Sequence, residues 1–281
     1  MEQFVELGDV TLFVRQLGCR SDEPSLLVLH GGPDVGHSYL LPGLEVVAQD
    51  RHVVTFDFRG CGRSTRGLPD SQLEPAFVIR DAHRLISELG LGQVDLLGFS
   101  TGGRAAMEFV SQHPVDVRRL VLASTSAYHS DAARPYLDGW PEYEHRQRLE
   151  READGALRNS TVFVWNLDLA PAYLELIRDL DEGDWSFERV LDGTMPPWCT
   201  RDPVTILRGW GGPILILHGA QDMGFPIQLA RRLHEEVPAS HLAVIDDAAH
   251  MCYFEKPDQW AQEIRMFLSD PSDAHCVQES T

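Results

Sequence analysis

Hydrophobic and polar residues follow two different rhythms along the chain. Some apolar runs have the length of a strand, and longer runs repeat apolar residues at the spacing of one helix face. The predicted strands are Gln3–Leu7, Thr11–Leu17, Ser25–His30, His52–Phe58, Gln93–Phe99, Arg118–Ser124, Pro213–His218 and His241–Ile245. The predicted helices between and after them are Ala76–Leu89, Thr101–Gln112, Pro226–Glu236 and Pro257–Leu268.

The order of these elements predicts the fold class. The first two strands form a hairpin around Gly8–Asp9, and the later strands alternate with helices. The later strands are apolar almost without interruption, which is typical of a sheet covered on both faces. We therefore predict an α/β fold with a doubly wound, mostly parallel sheet of eight strands.

One long segment between two predicted core strands interrupts this alternation. Residues 126–202 show helical patterns at Glu142–Arg158, Leu169–Asp181 and Phe187–Asp192 and no convincing strand. Because the segment is too long for a plain crossover, we predict an inserted helical lid at 126–202. The lid would sit on a core formed by 1–125 and 203–270, and a polar tail at 271–281 would be flexible.

The charge of the chain narrows its partners. It has 24 basic and 43 acidic residues, a net charge of −19, and no basic run. We therefore expect neither nucleic-acid nor membrane-surface binding, because both surfaces are anionic.

The sequence also bears on where the protein is located. We expect no signal peptide at residues 1–8, and no apolar run reaches membrane-spanning length. Five widely spaced cysteines favour the reducing cytoplasm. The oligomeric state stays open.

The strongest chemical signal is the sequence Gly98-Phe99-Ser100-Thr101-Gly102, where a predicted strand meets a predicted helix. This G-x-S-x-G pattern in a strand–turn–helix is typical of a nucleophile elbow. The glycines leave room for a sharp turn that exposes the serine hydroxyl. We predict that Ser100 is a catalytic nucleophile, although any glycine-rich turn can hold a serine.

A serine nucleophile needs a base, and the base needs an acid to orient it. Asp222 follows the seventh predicted strand and His250 follows the eighth, so both lie at the carboxyl edge of the sheet with Ser100. We expect His250 to accept the Ser100 proton and Asp222 to orient the imidazole. Asp246 and Asp247, on the histidine loop, are alternative acids.

Acyl transfer also needs two N–H groups that stabilise the developing oxyanion. One candidate is the backbone N–H of Thr101, directly after the nucleophile. The other is Gly32, in the sequence His30-Gly31-Gly32-Pro33 after the third predicted strand. We expect His30 to hold the loop backbone rather than act as a second base.

Several motifs together carry a family resemblance. In chain order they are His30-Gly31-Gly32-Pro33, Phe56-Asp57-Phe58-Arg59-Gly60-Cys61-Gly62-Arg63-Ser64, the Ser100 elbow, Asp222 and His250. They resemble the α/β-hydrolase superfamily, and within it the proline-iminopeptidase-like branch, from Val5 to Leu268. The resemblance implies the α/β-hydrolase fold, the triad and the two oxyanion donors named above. It also implies structural roles for Asp57 and Arg59.

The chain departs from that branch at three positions. Asp34 follows the His-Gly-Gly-Pro motif where the branch usually has glycine, Thr101 replaces tryptophan, and Phe58 replaces glutamine.

The resemblance as a whole implies a cofactor-free serine hydrolase acting on a small or short peptide-like substrate. We favour aminopeptidase-like removal of an N-terminal aminoacyl group, of the proline or alanine type. A carboxylesterase, lactonase or thioesterase is the alternative.

The predicted lid is rich in aromatic and acidic residues. It holds four of the six tryptophans and a net charge of −8. Trp140 and Trp165 are candidates to line a substrate pocket, and Glu142 and Glu144 are candidates to bind a substrate amine. Aromatic residues can equally pack the lid onto the core, and charged residues can simply be solvated.

The histidines show no metal-binding pattern. His113, His129, His145 and His234 have no histidine partner at i+4, so we predict no metal site.

Two functional alternatives lie outside simple hydrolysis. A hydrolase-fold binding protein with vestigial chemistry is the alternative from another functional class. Acyl transfer to an acceptor other than water is a third possibility on the same triad.

Overall fold

The computed structural model describes residues 1–180, 183–186, 189 and 194–270. Its strands are β1 (Glu2–Glu6), β2 (Thr11–Leu17), β3 (Leu26–Leu29), β4 (Val53–Phe56), β5 (Val94–Phe99), β6 (Val117–Ala123), β7 (Ile214–Gly219) and β8 (Ser240–Ile245). They form one sheet in the order β1-β2-β4-β3-β5-β6-β7-β8. β2 is antiparallel to both β1 and β4, and the other neighbouring pairs are parallel. The predicted eight-stranded, mostly parallel sheet is confirmed.

Helices cover both faces of this sheet. They are α1 (Leu41–Val47), α2 (Pro75–Glu88), α3 (Thr101–Gln112), α4 (Arg134–Leu137), α5 (Pro141–Glu152), α6 (Ser160–Phe163), α7 (Ala170–Ile177), α8 (Pro203–Trp210), α9 (Ile227–Glu236), α10 (Cys252–Glu255) and α11 (Pro257–Leu268). One apolar core includes side chains of α2, α3, α8 and α9, and a second includes those of α1, α10 and α11. Burial on both faces explains why the central strands are predominantly apolar.

The segment between β6 and β7 contains α4 to α8. The pattern at Glu142–Arg158 predicted a longer helix than the structure has, because α5 ends at Glu152. Asp154 and Gly155 follow with positive φ angles of 48° and 82°, which a right-handed helix cannot accommodate. Most of the predicted helix Phe187–Asp192 and the predicted tail 271–281 lie outside the described residues.

The parallel strands place their carboxyl ends on one edge of the sheet. Loops after β3, β5, β7 and β8 meet there, and they carry the four sequence motifs with predicted chemistry. No helix among the described residues is both long and apolar enough to cross a membrane.

Candidate active site

The turn between β5 and α3 holds Ser100 in a strained conformation. Its φ of 54° and ψ of −122° lie outside the right-handed helical and extended regions that other residues favour. A Cβ at Gly98 would collide with the Gly102 carbonyl, and a Cβ at Gly102 would collide with the Leu29 carbonyl. The glycines of the motif are therefore required by close backbone contacts that hold the serine at the edge of the sheet.

Ser100, His250 and Asp222 form one hydrogen-bonded chain. His250 Nε2 lies 3.1 Å from Ser100 Oγ, and His250 Nδ1 lies 2.9 Å from Asp222 Oδ2. The other carboxylate oxygen of Asp222 accepts the backbone N–H groups of Gly224 and Phe225 at 2.7 and 2.8 Å. The acid is therefore fixed on both oxygens, and the imidazole is oriented between it and the serine.

Electrostatics keep the Asp222 carboxyl ionised. Complete burial raises its pKa, but attraction and hydrogen bonds from His250 and His218 outweigh burial and hold the pKa well below its usual range. Asp246 and Asp247, the alternative acids, are both exposed, and Asp247 lies in a turn with φ of 53°. His250 is paired with Asp222 rather than with either of them.

His218, which sequence reasoning did not single out, is a second histidine on the same carboxylate. It is fully buried at the end of β7, with Nε2 3.2 Å from Asp222 Oδ2 and 2.6 Å from the Phe225 carbonyl. The side chain thus joins the acid to the loop that holds it. In the sequence it resembled any polar residue closing an apolar strand, so spacing carried no signal.

The two predicted oxyanion donors lie on the loops that flank Ser100. Thr101 is the first residue of α3, and its N–H points from the positive end of the helix. Gly32 has φ of 108°, a conformation that favours glycine. Among the described residues, neither N–H donates to another backbone or side-chain group, so both remain available to a substrate oxygen.

His30 holds the Gly32 loop through two hydrogen bonds to backbone groups. Its Nδ1–H donates to the Gly31 carbonyl at 2.6 Å, and its Nε2 accepts the Phe58 N–H at 3.1 Å. Burial lowers the pKa of His30 to about 4, so the ring is neutral and can make both bonds. The structure thus gives His30 the loop-holding position expected from the sequence.

Asp57 holds the other end of the same loop, at His37, by hydrogen bonds. One carboxylate oxygen accepts the His37 N–H and side-chain Nδ1 at 2.8 and 2.7 Å, and the other accepts the Arg63 N–H at 2.8 Å. Burial raises the pKa of Asp57, but these hydrogen bonds, that of the His37 side chain foremost, lower it to about 2. Arg59 makes a two-pronged ion pair with Asp81 at 2.7 and 2.8 Å. Both side chains support the loop architecture.

The segment between β6 and β7, here called the inserted segment, contacts the loop that carries His250. The Met251 N–H donates to the Phe163 carbonyl at 3.0 Å, and the Phe163 ring lies 5.1 Å from the His250 ring. Glu255, also missed from the sequence, accepts the Ala249 N–H at 2.7 Å and the Asn166 N–H at 2.9 Å. One buried carboxylate therefore joins the backbone before His250 to the inserted segment.

The four predicted substrate-binding residues of this segment occupy different environments. Trp140 and Trp165 stack with ring centroids 6.5 Å apart, and Trp165 lines a cavity of about 490 Å³ beside Asp247 and Glu255. Glu142 makes an ion pair of 2.7 Å with buried Arg146. Glu144 lines a separate groove on α5. The hydrogen bonds and ion pairs of the described residues link neither acid to the triad.

Comparisons with known proteins agree with this architecture. The sequence model of the alpha/beta hydrolase fold family matches residues 24–257. A protein named proline iminopeptidase from Lactobacillus delbrueckii subsp. lactis is 35% identical over 95% of this chain and 97% of its own length.

Solved structures show the same fold at lower identity. The proline iminopeptidase of Mycobacterium smegmatis superposes with a TM-score of 0.74 at 20% identity, over 95% of this chain and 97% of that one. An esterase from Exiguobacterium antarcticum superposes with a TM-score of 0.73 at 20% identity, over 96% and 100%. The chain therefore belongs to the α/β-hydrolase fold family and is a hydrolase enzyme with curated relatives named proline iminopeptidase.

Proposed function

We propose that this chain is a serine hydrolase that acts through an acyl-enzyme on Ser100. The observation that carries the proposal is the continuous chain from Ser100 Oγ to His250 (3.1 Å) and from His250 to Asp222 (2.9 Å). Both distances are within the range that proton transfer and imidazole orientation require. The triad lies at the carboxyl edge of the sheet, where open α/β sheets bind their ligands.

The geometry supports a defined sequence of steps. As Ser100 Oγ attacks the substrate carbonyl carbon, its proton passes to His250 Nε2, and Asp222 stabilises the resulting imidazolium. The carbonyl oxygen becomes an oxyanion and accepts the N–H groups of Gly32 and Thr101. His250 then gives the proton to the leaving group. Water, deprotonated by the same histidine, releases the acyl group and restores Ser100.

We assign the substrate class as small amides with a free N-terminal proline or alanine. The 35% identical relative named proline iminopeptidase supports this assignment, as do the His30–Pro33 motif and the net charge of −8 over 126–202. In this proposal 126–202 forms a lid above the site, with its acidic character favouring a cationic substrate end. Glu142 already pairs with Arg146, so a substrate amine there must either share the Glu142 carboxylate with the Arg146 guanidinium or displace that guanidinium.

Comparing two substrate families tests the assignment. Purified enzyme is given proline, alanine and glycine arylamides in one series and p-nitrophenyl esters in another, beside Ser100→Ala. Ser111→Ala is the matched control, because Ser111 lies on the same helix and contacts Arg201 at its surface. We expect arylamide turnover in the wild type and the control, and none in Ser100→Ala.

The same comparison separates the alternatives. Turnover of esters without any arylamide, lost in Ser100→Ala, would replace the aminopeptidase assignment by the esterase or lactonase alternative. Turnover that survives Ser100→Ala would contradict the catalytic role of Ser100 itself.

A further inference from the structure

Three side chains with metal-binding chemistry meet far from the catalytic site. They are His83 on α2, His113 directly after α3, and Asp116 in the turn before β6. His83 Nδ1 lies 3.0 Å from Asp116 Oδ2, and His113 Nδ1 lies 4.0 Å from the same oxygen. One donor atom of each residue lies within 4.8 Å of the other two. Because α3 begins beside Ser100 and ends here, roughly 18 Å of helix separates this cluster from the nucleophile.

These separations are close to those of ligands around one ion. Nitrogen and oxygen ligands lie about 2.0–2.2 Å from zinc, so neighbouring ligands in a tetrahedral site are about 3.3–3.6 Å apart. The His83–Asp116 pair at 3.0 Å is slightly closer than this and the His113–Asp116 pair at 4.0 Å is slightly farther, so small side-chain shifts bring both into range. The two imidazole rings are stacked, with centroids 3.9 Å apart and planes 6° from parallel, so their lone pairs do not yet converge. His83 has a 42% exposed side chain and therefore has room to turn toward a shared ion.

We propose that His83, His113 and Asp116 bind a divalent transition-metal ion such as Zn²⁺, with water completing its coordination. Two imidazole nitrogens and one carboxylate oxygen suit zinc, cobalt, nickel or copper better than magnesium or calcium, which prefer oxygen ligands. The ion ties α2 to the connection between α3 and β6.

The inference reverses the sequence-based prediction that His113 belongs to no metal site. That prediction rested on ligand spacings within a single helix. The second imidazole instead comes from a neighbouring helix, and α2 and α3 bring it into place by packing against each other. The site is structural in character, because no residue of it contacts the triad.

The test uses the full chain without an affinity tag, stripped with a chelator and then titrated with Zn²⁺ by calorimetry. We expect one equivalent to bind at micromolar Zn²⁺ and to raise the melting temperature. His83→Ala and Asp116→Asn each remove a direct ligand, so affinity should fall by more than the roughly tenfold cost of losing an outer-shell partner. Circular dichroism verifies that both variants are folded.

His129→Ala is the matched control. His129 is an exposed histidine with Nδ1 3.3 Å from Asp131 Oδ2, so it offers the same histidine–aspartate pair without a second imidazole. Its loss should leave the Zn²⁺ isotherm unchanged. The proposal is wrong if the wild type binds no equivalent at micromolar Zn²⁺, if His83→Ala binds as the wild type does, or if the control loses as much affinity.

Discussion

At the scale of single residues, strain at Ser100 is maintained by glycines that allow no side chain. A Cβ at Gly102 would overlap the backbone carbonyls of Leu29 and His30, which belong to β3 and its loop and cannot rotate away. Relief of this overlap requires α3 to move from β3. The motif glycines therefore position the nucleophile as well as permitting the turn.

Gly102→Ala should consequently destabilise the fold by about 1–3 kcal/mol, the usual cost of forcing a group into a packed interior. Gly209→Ala is the control, because Gly209 is also helical but a Cβ there meets no atom within 4 Å. It should be neutral or stabilising by up to about 1 kcal/mol. Urea unfolding measures both values, and equal stability of the two variants would contradict the steric argument.

Asp222 is assigned as the triad acid by its contacts, and one substitution tests that assignment. Asp222→Asn keeps the size of the side chain but no longer stabilises the imidazolium or fixes the correct tautomer, so kcat should fall by about 10⁴-fold. Asp247→Asn changes an exposed acid on the histidine loop and should leave kcat near the wild-type value. The opposite ranking, measured under saturating substrate, would show that the histidine loop supplies the acid.

The residues of the site differ in how visible they are in sequence. Ser100, Asp222 and His250 could be predicted as a triad because each follows a predicted strand, and strand ends meet at one edge of a parallel sheet. His218 and Glu255 were missed because their importance depends on three-dimensional contacts with Asp222 and with the Ala249 N–H. Periodicity and spacing contain no information about such contacts.

At the scale of elements, strands were more predictable than the helices of the inserted segment. All eight strands begin and end close to the apolar runs that predicted them, and α3 and α11 match their predicted bounds. α1 was missed because Pro42 and Gly43 weaken its helical pattern. α8 was also missed, although Asp202 caps it by accepting the Thr205 N–H at 2.8 Å and Gly211 ends it with a positive φ.

The contact between the inserted segment and the histidine loop has a measurable consequence. In Glu255→Gln one carboxylate oxygen becomes an amide NH₂, which cannot accept the N–H of Ala249 or Asn166. Leaving one buried donor unpaired should cost about 1–3 kcal/mol of stability. Because Ala249 precedes His250, kcat/KM should fall as well, while Ser100 remains in place.

Glu235→Gln is the control for this change, because Glu235 is an exposed residue of α9. Urea unfolding and steady-state kinetics on both variants separate positioning from general destabilisation. A stable Glu255→Gln enzyme with unchanged kcat/KM would show that the carboxylate does not position the histidine loop.

At the scale of the whole molecule, buried ionisable groups link folding to pH. Burial lowers the pKa of His30 from 6.5 to about 4. Between these values the unfolded chain binds a proton that the folded chain does not, so the free energy of unfolding falls as the pH falls. The full loss from this one group is about 3 kcal/mol. Asp57, with a pKa lowered to about 2 from 3.8, extends the loss below pH 4.

Urea unfolding at pH 7 and pH 5 tests this linkage. The wild type should lose more stability between these values than His30→Gln, which has no ring to protonate. His129→Gln, at a side chain that is 81% exposed, should lose as much as the wild type. An identical pH dependence in wild type and His30→Gln would mean that His30 is not held neutral by burial.

The charge distribution also belongs to this scale. The net charge of −19 is shared unevenly, since 126–202 carries −8 of it. The composition predicts that an anionic surface is not a partner, but it could not locate the acids relative to the triad. Glu142 shows the reason, because its charge is already matched by Arg146 in the folded chain.

The most direct test of the central claim is covalent labelling of the nucleophile. Wild-type enzyme and Ser100→Ala are treated with a fluorophosphonate, and intact mass spectrometry with peptide mapping locates the adduct. A triad with Ser100 Oγ 3.1 Å from His250 Nε2 predicts one adduct per chain, on Ser100, and none in the variant. Folded wild-type protein that takes up no label, or takes it up on another residue, would contradict the account.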